Sequence, residues 1–309
     1  MKSGLRIAVI TAIVGSTFFK AVFAQTLDKT FLNSTVLIKY HKDATHDSVG
    51  TGFLLLHPIA TTSNGMTTYR VLLITNKHVL PPEHGPKEMS VRIAVRSEIG
   101  EVEVKDVILP ILGTDGKYLR SVALHPNPGV DVAAIDCGAD LSRQHANLFR
   151  EISETHRALT TDLLISDRDF EEASIGIGTQ IYLLGYPSGM YDPRNTSPIL
   201  RIGLISTEPN KDFSFNPELR AKYGLPSTIP GFLIDANVFP GSSGSIVLRR
   251  ADIVPGFSSG GKASVSYILG IASMSIPIDD LWGTQRMGLG VVYDSRAIRE
   301  TINLAISAH

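Results

Sequence analysis

The sequence predicts an all-β protein made of two six-stranded antiparallel β-barrels, with a helical segment at their junction and a helix at the C-terminus. Short runs of alternating and β-branched residues recur along the 309-residue chain and fall into two groups of about six. Neither group is interrupted by a long helical period, whereas the segment between them repeats apolar residues at helical spacing. A hydrophobic fraction of 43% is ample for a core, and the length is near the point where one core divides into two.

The first half of the chain, residues 25–140, holds the first predicted barrel. Turn residues such as Ser63–Gly65 and His125–Gly129 separate its strands. The strands predicted here are Thr35–Tyr40, Val49–Leu56, Thr68–Thr75, Val91–Val95, Val102–Leu109, Ser121–Leu124 and Val130–Cys137.

Residues 141–173 form the predicted junction between the halves. Apolar residues recur at helical spacing and predict one helix from about Leu141 to Leu159, followed by the polar connector Asp162–Glu172. We expect this segment to be an insertion between the two barrels.

The second half, residues 174–309, repeats the character of the first. Two long polar loops, Thr207–Ile229 and Pro255–Lys262, interrupt it. Asp294 is a good N-cap for a final helix in which Ile298 and Ile302 share a face. The predicted strands are Gln180–Leu184, Ile199–Ser206, Phe232–Asn237, Ser245–Arg249, Val265–Ser273 and Met287–Tyr293.

The N-terminus predicts a signal peptide over residues 1–24. Lys2 and Arg6 precede the apolar run Ile7–Val14, and Val22–Ala24 resembles a small-residue cleavage site. We therefore expect an exported protein, periplasmic or secreted, without stable membrane insertion after cleavage. The alternative is an uncleaved anchor, for which the apolar stretch is short against the roughly 20 residues of a membrane span.

Charge and cysteine content exclude several classes. The formal net charge of −1 gives no electrostatic reason to bind nucleic acid or an anionic membrane. The single cysteine, Cys137, rules out an internal disulfide and lies in the apolar run Val132–Cys137, which favours a buried core position.

The stretch Phe239–Leu248 is the first candidate for chemistry. Turn formers lead into an apolar run, and Ser243 is followed by a glycine at the turn. Such a backbone can present a serine nucleophile together with N–H groups for a developing oxyanion, which would come from Gly241 and Ser243. The alternative is a flexible Gly/Ser turn without chemistry.

The order of residues along the chain favours catalysis. A serine nucleophile needs a base, usually a histidine that a carboxylate orients. An α/β-hydrolase would need a histidine after the serine, where only His309 stands, and the subtilisin order places the aspartate first. The remaining order is available as His78, Asp131 and Ser243.

Several motifs carry a resemblance to a known family. The segment Leu73–Leu80, LITNKHVL, resembles the histidine motif of trypsin-like serine proteases in the form found in HtrA/Deg proteins. The other matching motifs are His125-Pro126, Asp131–Ile135, Asp235–Ser245, Gly50–Phe53, Gly185–Gly189, Leu269–Ile271 and Gly288–Tyr293. The resemblance spans residues 36–302 and implies the chymotrypsin-like double barrel.

The resemblance also implies the role of each residue. Ser243 would be the nucleophile, His78 the general base and Asp131 the group that holds the histidine tautomer, with the Gly241 and Ser243 amides as the oxyanion hole. No metal or organic cofactor is implied. The family usually has Gly at Ser245 and often Asn at Ser242, and its frequent C-terminal PDZ domain is not expected here, since the chain ends soon after the last helix.

The substrate pocket is predicted from the same resemblance. Its base would lie near Asn237, and residues around Gly270–Ser273, among them Gly270, Ile271 and Ala272, would form a wall. Because residue 237 is not acidic, we expect a small or aliphatic substrate side chain rather than Lys or Arg.

The leading hypothesis is an exported serine endopeptidase that cleaves polypeptides through an acyl-enzyme. The alternatives are a catalytically silent member of the fold that binds peptides or proteins, and an esterase. The resemblance also allows an oligomer.

Overall fold

The computed structural model describes residues 27–43, 45–61, 63, 67–96, 102–154, 158–172, 175–250, 266–280 and 283–307. The predicted signal peptide and the predicted loop Pro255–Lys262 lie outside these residues. Within them the protein is largely β-structure with six short helices. The prediction of an all-β fold is confirmed at that level.

The N-terminal half forms one eight-stranded sheet. Its strands are β1 Thr35–His41, β2 Asp47–Thr61, β3 Thr67–Thr75, β4 Glu88–Arg96, β5 Val102–Pro110, β6 Val122–Leu124, β7 Ala133–Asp136 and β8 Leu159–Thr160. Seven of them follow the order β5-β4-β1-β2-β3-β7-β6 with antiparallel pairing, and β8 pairs in parallel with β2.

This sheet curls around a core, but its end strands are not paired with each other among the described residues. Val107 of β5 and Val122 of β6 belong to one buried cluster, which brings the two ends toward each other. The edge of β5 is covered instead by Gln144, whose amide accepts from the Ile108 N–H at 2.9 Å and donates to the Ile108 carbonyl at 2.7 Å. A side chain thus satisfies an edge that a neighbouring strand would pair. The closed six-stranded barrel predicted for this half is not seen.

The C-terminal half contains a closed barrel of six strands in the order β10-β13-β16-β15-β14-β9. The barrel strands are β9 Gln180–Gly185, β10 Ile199–Ile205, β13 Gly231–Asp235, β14 Ile246–Arg249, β15 Ile268–Asp280 and β16 Gly283–Asp294. The predicted loop Thr207–Ile229 is in fact partly ordered, with a small hairpin of β11 Phe213–Ser214 and β12 Thr228–Ile229 enclosing a helix.

The helices lie mainly at the ends of the halves and at their junction. They are α1 Lys29–Ser34, α2 Gly138–Gln144, α3 Ala146–Glu154, α4 Asp167–Glu172, α5 Pro217–Tyr223 and α6 Ser295–Ser307. The single helix predicted over 141–159 is wrong: His145 has φ −144° and ψ 73°, which ends α2 before α3 begins, and Leu159 lies in strand β8. The C-terminal helix is confirmed, and Asp294 accepts from its first N–H groups.

The two halves share a core. One buried cluster contains Phe53 of β2, Ile74 of β3, Ile246 of β14 and Ile298 of α6. Burying apolar surface contributes roughly 25 cal/mol per Å², so this shared cluster holds the halves together. It also fixes the strand ends from which the candidate catalytic residues project.

Candidate active site

His78 lies in a single 3₁₀ turn, Lys77–Val79, that follows strand β3. Val79 anchors the turn because it is buried and packs on Gly50 of β2, where a Cβ would come within 2.3 Å of Val79 Cγ1. The His78 side chain itself is 49% exposed. The histidine is therefore fixed through its backbone and accessible at its ring.

Asp131 lies just before strand β7 and orients His78. Its Oδ2 lies 2.6 Å from His78 Nδ1, and its Oδ1 accepts from the His78 backbone N–H at 3.2 Å. Ser273 Oγ donates to the same carboxylate at 2.6 Å. Burial raises the pKa of Asp131, but the hydrogen bonds from His78 and Ser273 together outweigh burial and hold the pKa below its ordinary value. The carboxylate is charged at neutral pH.

The contact with Asp131 defines the tautomer of His78. An ionised carboxylate can only accept, so the proton of the neutral imidazole lies on Nδ1. Nε2 then carries the lone pair, which is the state that a general base requires.

Ser243 lies in the turn between strands β13 and β14 and lines the same cleft as His78 and Asp131. Its Oγ donates to the Ser273 carbonyl at 2.8 Å, and it makes no hydrogen bond with His78 in this structure. Ser273 therefore contacts two of the three candidate residues, with its hydroxyl on Asp131 and its carbonyl on Ser243.

The turn that carries Ser243 requires glycine on both sides. Gly241 has φ +83° and Gly244 has φ +89°, where side chains are strained. A Cβ on Gly244 would lie 1.8 Å from the Thr51 carbonyl oxygen. The loop thus lies directly against strand β2 with no room for a side chain.

The same turn leaves two N–H groups without an acceptor. The amides of Ser242, Gly244 and Ser245 donate to carbonyls within or beside the turn. Among the described residues, the N–H groups of Gly241 and Ser243 donate to nothing. Two unpaired donors on either side of one residue form a site where an oxyanion could bind.

The two departures from the family pattern are both buried. Ser245 faces Gly185, where a Cβ would lie 1.9 Å from Ser245 Oγ. The extra side chain at 245 is therefore accommodated by the absence of one at 185. The Oγ of Ser242 is buried without a hydrogen-bond partner.

The cleft has a volume of about 1070 Å³ and lies between the two halves. The residues that line it are Tyr40, Lys42, Lys77, His78, Leu80, Pro82, Tyr118, Pro128, Gly129, Asp131, Gly224, Leu225, Pro226, Val238, Phe239, Pro240, Ser243, Ser273, Met274 and Tyr293. Apart from Asp131, the charged residues that line it are Lys42 and Lys77. Burial raises the pKa of Tyr293 to about 12, so this phenol stays protonated and donates to the Gly129 carbonyl at 2.9 Å.

Of the residues predicted for the substrate pocket, Ser273 lines this cleft, whereas Asn237, Gly270, Ile271 and Ala272 are not among its lining residues. Ile271 and Ala272 are fully buried in the core, and a Cβ on Gly270 would lie 2.2 Å from the Tyr293 carbonyl. Asn237 is partly buried, with its Oδ1 unpaired and its carbonyl bound by Arg201. The lining comes from the next positions along each segment: Val238, Phe239, Ser273 and Met274.

Ser273 was predicted only as part of the pocket wall, and its hydrogen bond to Asp131 was not predicted. Ser273 follows an apolar run in strand β15, and only its position beside Asp131, 142 residues earlier in the chain, distinguishes it from other strand serines. Cys137 is buried in the core, where burial raises the pKa of its thiol. Within the described ranges, no group of His, Cys, Asp and Glu side chains is placed to hold a metal ion.

In the part of the chain that the structure describes, no helix combines the length and the apolar character needed to cross a bilayer.

No protein-family model and no curated protein sequence matches the chain. Solved structures do match. The active form of the Rv3671c protease from M. tuberculosis is 17% identical over 89% of this chain and 82% of that one, with a TM-score of 0.45. Protease Anisep from Arthrobacter nicotinovorans is 12% identical over 89% and 96%, with a TM-score of 0.45. Deg5 is 17% identical over 79% and 81%, with a TM-score of 0.40.

In its histidine, aspartate and serine motifs, carried on two β-rich halves with a cleft between them, the chain resembles the trypsin-like serine proteases.

Proposed function

We propose that this protein is a serine endopeptidase that hydrolyses peptide bonds with His78, Asp131 and Ser243. The observation that carries the proposal is the 2.6 Å contact between His78 Nδ1 and Asp131 Oδ2 in the cleft that Ser243 also lines. The unpaired N–H groups of Gly241 and Ser243 support it, since acyl transfer needs donors beside the nucleophile.

The first half-reaction forms an acyl-enzyme. His78 Nε2 takes the proton of Ser243 Oγ as that oxygen attacks the substrate carbonyl carbon, and the resulting oxyanion accepts from the Gly241 and Ser243 amides. The C–N bond then breaks while His78 gives its proton to the leaving amine. A water molecule attacks the ester by the same route, which releases the acid and regenerates Ser243.

Asp131 stabilises the charge that develops on His78. The imidazolium formed during proton transfer is next to a carboxylate that already accepts from its Nδ1–H. The hydrogen bond from Ser273 limits how far the carboxylate can turn away. This chemistry needs no cofactor.

Catalysis requires the Ser243 hydroxyl to leave the Ser273 carbonyl and bond to His78. Rotation about the Cα–Cβ bond exchanges the partners of a serine hydroxyl on a fast timescale. Hydrogen bonds of catalytic groups are often long or misdirected until substrate is bound. We therefore interpret the Ser243–Ser273 bond as the resting arrangement.

The substrates proposed are polypeptides with an apolar side chain next to the scissile bond. Val238, Phe239 and Met274 line the cleft. Val238 and Phe239 precede Ser243 in the same segment, and Met274 follows Ser273, whose carbonyl accepts from Ser243 Oγ. The N-terminal pattern of residues 1–24 supports export to a periplasmic or extracellular space. Analytical sedimentation measures whether the protein assembles into an oligomer.

A fluorophosphonate probe and Ser243→Ala test the proposal together. The unmodified protein should be labelled at Ser243 and cleave an unfolded polypeptide, and Ser243→Ala should lose labelling and up to about 10⁶-fold in kcat. Undiminished proteolysis by Ser243→Ala would refute the assignment.

A second candidate, a peptide-binding module without turnover, is favoured by one observation: Ser243 Oγ bonds to Ser273 rather than to His78. For that candidate, the unmodified protein would bind peptides in the cleft but would neither react with the probe nor cleave.

A further inference from the structure

Thr51 of strand β2 is fully buried. It forms hydrogen bonds with strand β3, which leads to His78, and with the loop that carries Ser243. Its N–H donates to the Ser243 carbonyl at 2.9 Å, and its Oγ1 donates to the Gly241 carbonyl at 2.7 Å. The same Oγ1 accepts from the Tyr186 N–H at 3.0 Å, and the Thr51 carbonyl accepts from Thr75 Oγ1 at 2.7 Å. One residue therefore contacts both sides of the candidate site.

The hydroxyl of Thr51 makes two hydrogen bonds that an apolar side chain of the same shape could not make. A hydroxyl has one donor hydrogen and also accepts. Here the hydrogen bonds to Gly241 and a lone pair bonds to Tyr186, both in a site closed to water. Without the oxygen, a buried carbonyl and a buried N–H would lose these partners.

With the bond to Gly241, hydrogen bonds hold the carbonyls of four consecutive peptide groups, from residue 240 to residue 243. The Pro240 carbonyl accepts from the Ser188 N–H at 2.6 Å, and the Ser242 carbonyl accepts from the Ser245 N–H at 2.9 Å. In a trans peptide the N–H is directed opposite to the carbonyl, so these two bonds orient the N–H groups of residues 241 and 243. Thr51 Oγ1 bonds to the Gly241 carbonyl, which belongs to the peptide between residues 241 and 242. The Thr51 N–H bonds to the Ser243 carbonyl, which belongs to the peptide between residues 243 and 244.

We propose that the Thr51 hydroxyl is a positioning residue for the proposed hydrolysis, because it keeps the Gly241 and Ser243 amides directed at one oxyanion. The inference rests on the proposed function. Thr51 does not touch the reacting atoms. Without its hydroxyl, the peptide between residues 241 and 242 is held only through the Ser242 N–H, which donates to the Phe239 carbonyl at 2.9 Å. Its carbonyl end is then free to tilt, and the two donors converge less well on one oxyanion.

Three variants test this role. Thr51→Val keeps the shape and the backbone N–H but removes the oxygen, whereas Thr51→Ser keeps the oxygen. Thr301→Val is the matched control: Thr301 is also fully buried and also donates to one carbonyl, that of Ala297 at 2.8 Å, but in helix α6.

The measurements are kcat and KM on a peptide substrate, the rate of fluorophosphonate labelling, and thermal unfolding. Thr51→Val should lose about 10²-fold in kcat, the scale of one oxyanion donor, with KM changed by less than about threefold. Labelling should slow in parallel. Thr51→Ser should stay within about threefold of the unmodified kcat, and Thr301→Val should lose stability without losing kcat.

A folded Thr51→Val variant with an unchanged kcat would overturn the inference, as would a loss in Thr51→Ser as large as that in Thr51→Val. If Thr51→Val does not fold, Thr51→Ala and Thr51→Ser decide the question by the same comparison. Unmodified protein and Ser243→Ala are assayed alongside. Equal activity of those two would refute the proposed function, whereas a difference between them with an active Thr51→Val would refute only the role of Thr51.

Discussion

The pair Gly185 and Ser245 gives a sharp test of the loop packing. Gly185 ends strand β9, and a Cβ placed on it would lie 1.9 Å from Ser245 Oγ and 3.0 Å from Thr51 Oγ1. Ordinary contact begins near 3.4 Å, so the first distance is short by about 1.5 Å. Ser245 is buried, which leaves its side chain little space to move aside.

Gly185→Ala should therefore destabilise the fold by about 1–3 kcal/mol, the usual effect of overpacking. For a chain of 309 residues that corresponds to a fall of roughly 2–5 °C in Tm. Because Ser245 lies two residues after Ser243, the displacement also moves the nucleophile loop, and kcat should fall with Tm. Thermal unfolding and peptide hydrolysis measure the two effects.

The second substitution and a control make the test specific. Ser245→Gly removes the obstructing atoms, so the double variant should recover about 1–2 kcal/mol relative to the sum of the single changes. Gly176→Ala is the control, since a Cβ there meets nothing within 4 Å. If Gly185→Ala were as stable as Gly176→Ala, or if Ser245→Gly restored nothing, the packing argument would be wrong.

Three further predictions concern Asp131. Asp131→Asn should lower kcat about 10⁴-fold, because an amide does not enforce the Nδ1–H tautomer of His78; steady-state kinetics would contradict this by showing a loss below tenfold. The pKa of Asp131 is lowered in the folded state, so its contribution to stability is present above the unfolded pKa near 3.9 and is lost as pH falls through the folded value. The free energy of unfolding, measured with urea from pH 5 downward, should thus fall less steeply for Asp131→Asn than for the unmodified protein. Equal slopes would contradict this contribution of Asp131 to stability. Ser273→Ala should raise the pKa of Asp131 and lower kcat about 10- to 100-fold, the scale of one hydrogen bond to a charged group; an unchanged pH profile and kcat would show that the bond is not needed.

Much of the strand pattern could be predicted because alternation is a local property. The prediction Val102–Leu109 compares with the observed Val102–Pro110, and Thr68–Thr75 compares with Thr67–Thr75. The strand pattern alone did not bring His78 and Asp131 together; that prediction came from the order of the residues along the chain and from the resemblance of their motifs to those of trypsin-like serine proteases.

The closure of the first half could not be predicted from alternation. Whether β5 meets another strand depends on what reaches its edge, and Gln144 reaches it from 36 residues away. The break at His145 has the same origin: α2 ends where Gln144 bonds to Ile108, although the apolar spacing continues past it. Tertiary contacts thus override a helical period.

The cleft lining was displaced from the predicted positions for a related reason. Strand β15 shifts its register against β16 between Ala272 and Ser275, so simple alternation does not predict which side each residue faces there. Ala272 is fully buried, while Ser273 contacts Asp131 and Met274 lines the cleft. A resemblance can identify the segment that forms a wall, but the side that faces substrate depends on register within the barrel.

The residues that set the distance between the two halves of the site have no chemistry of their own. Val79 of the histidine turn packs on Gly50, where a Cβ would lie 2.3 Å from Val79 Cγ1. Gly244 of the nucleophile loop packs on the Thr51 backbone, where a Cβ on Gly244 would lie 1.8 Å from the Thr51 carbonyl oxygen. Strand β2 can lie between the two segments only because these positions carry no bulk on the facing sides. Gly50 and Gly244 therefore determine how closely strand β2 approaches the segments that carry His78 and Ser243. Enlarging either glycine would push one segment away from β2 while every reactive group remained present.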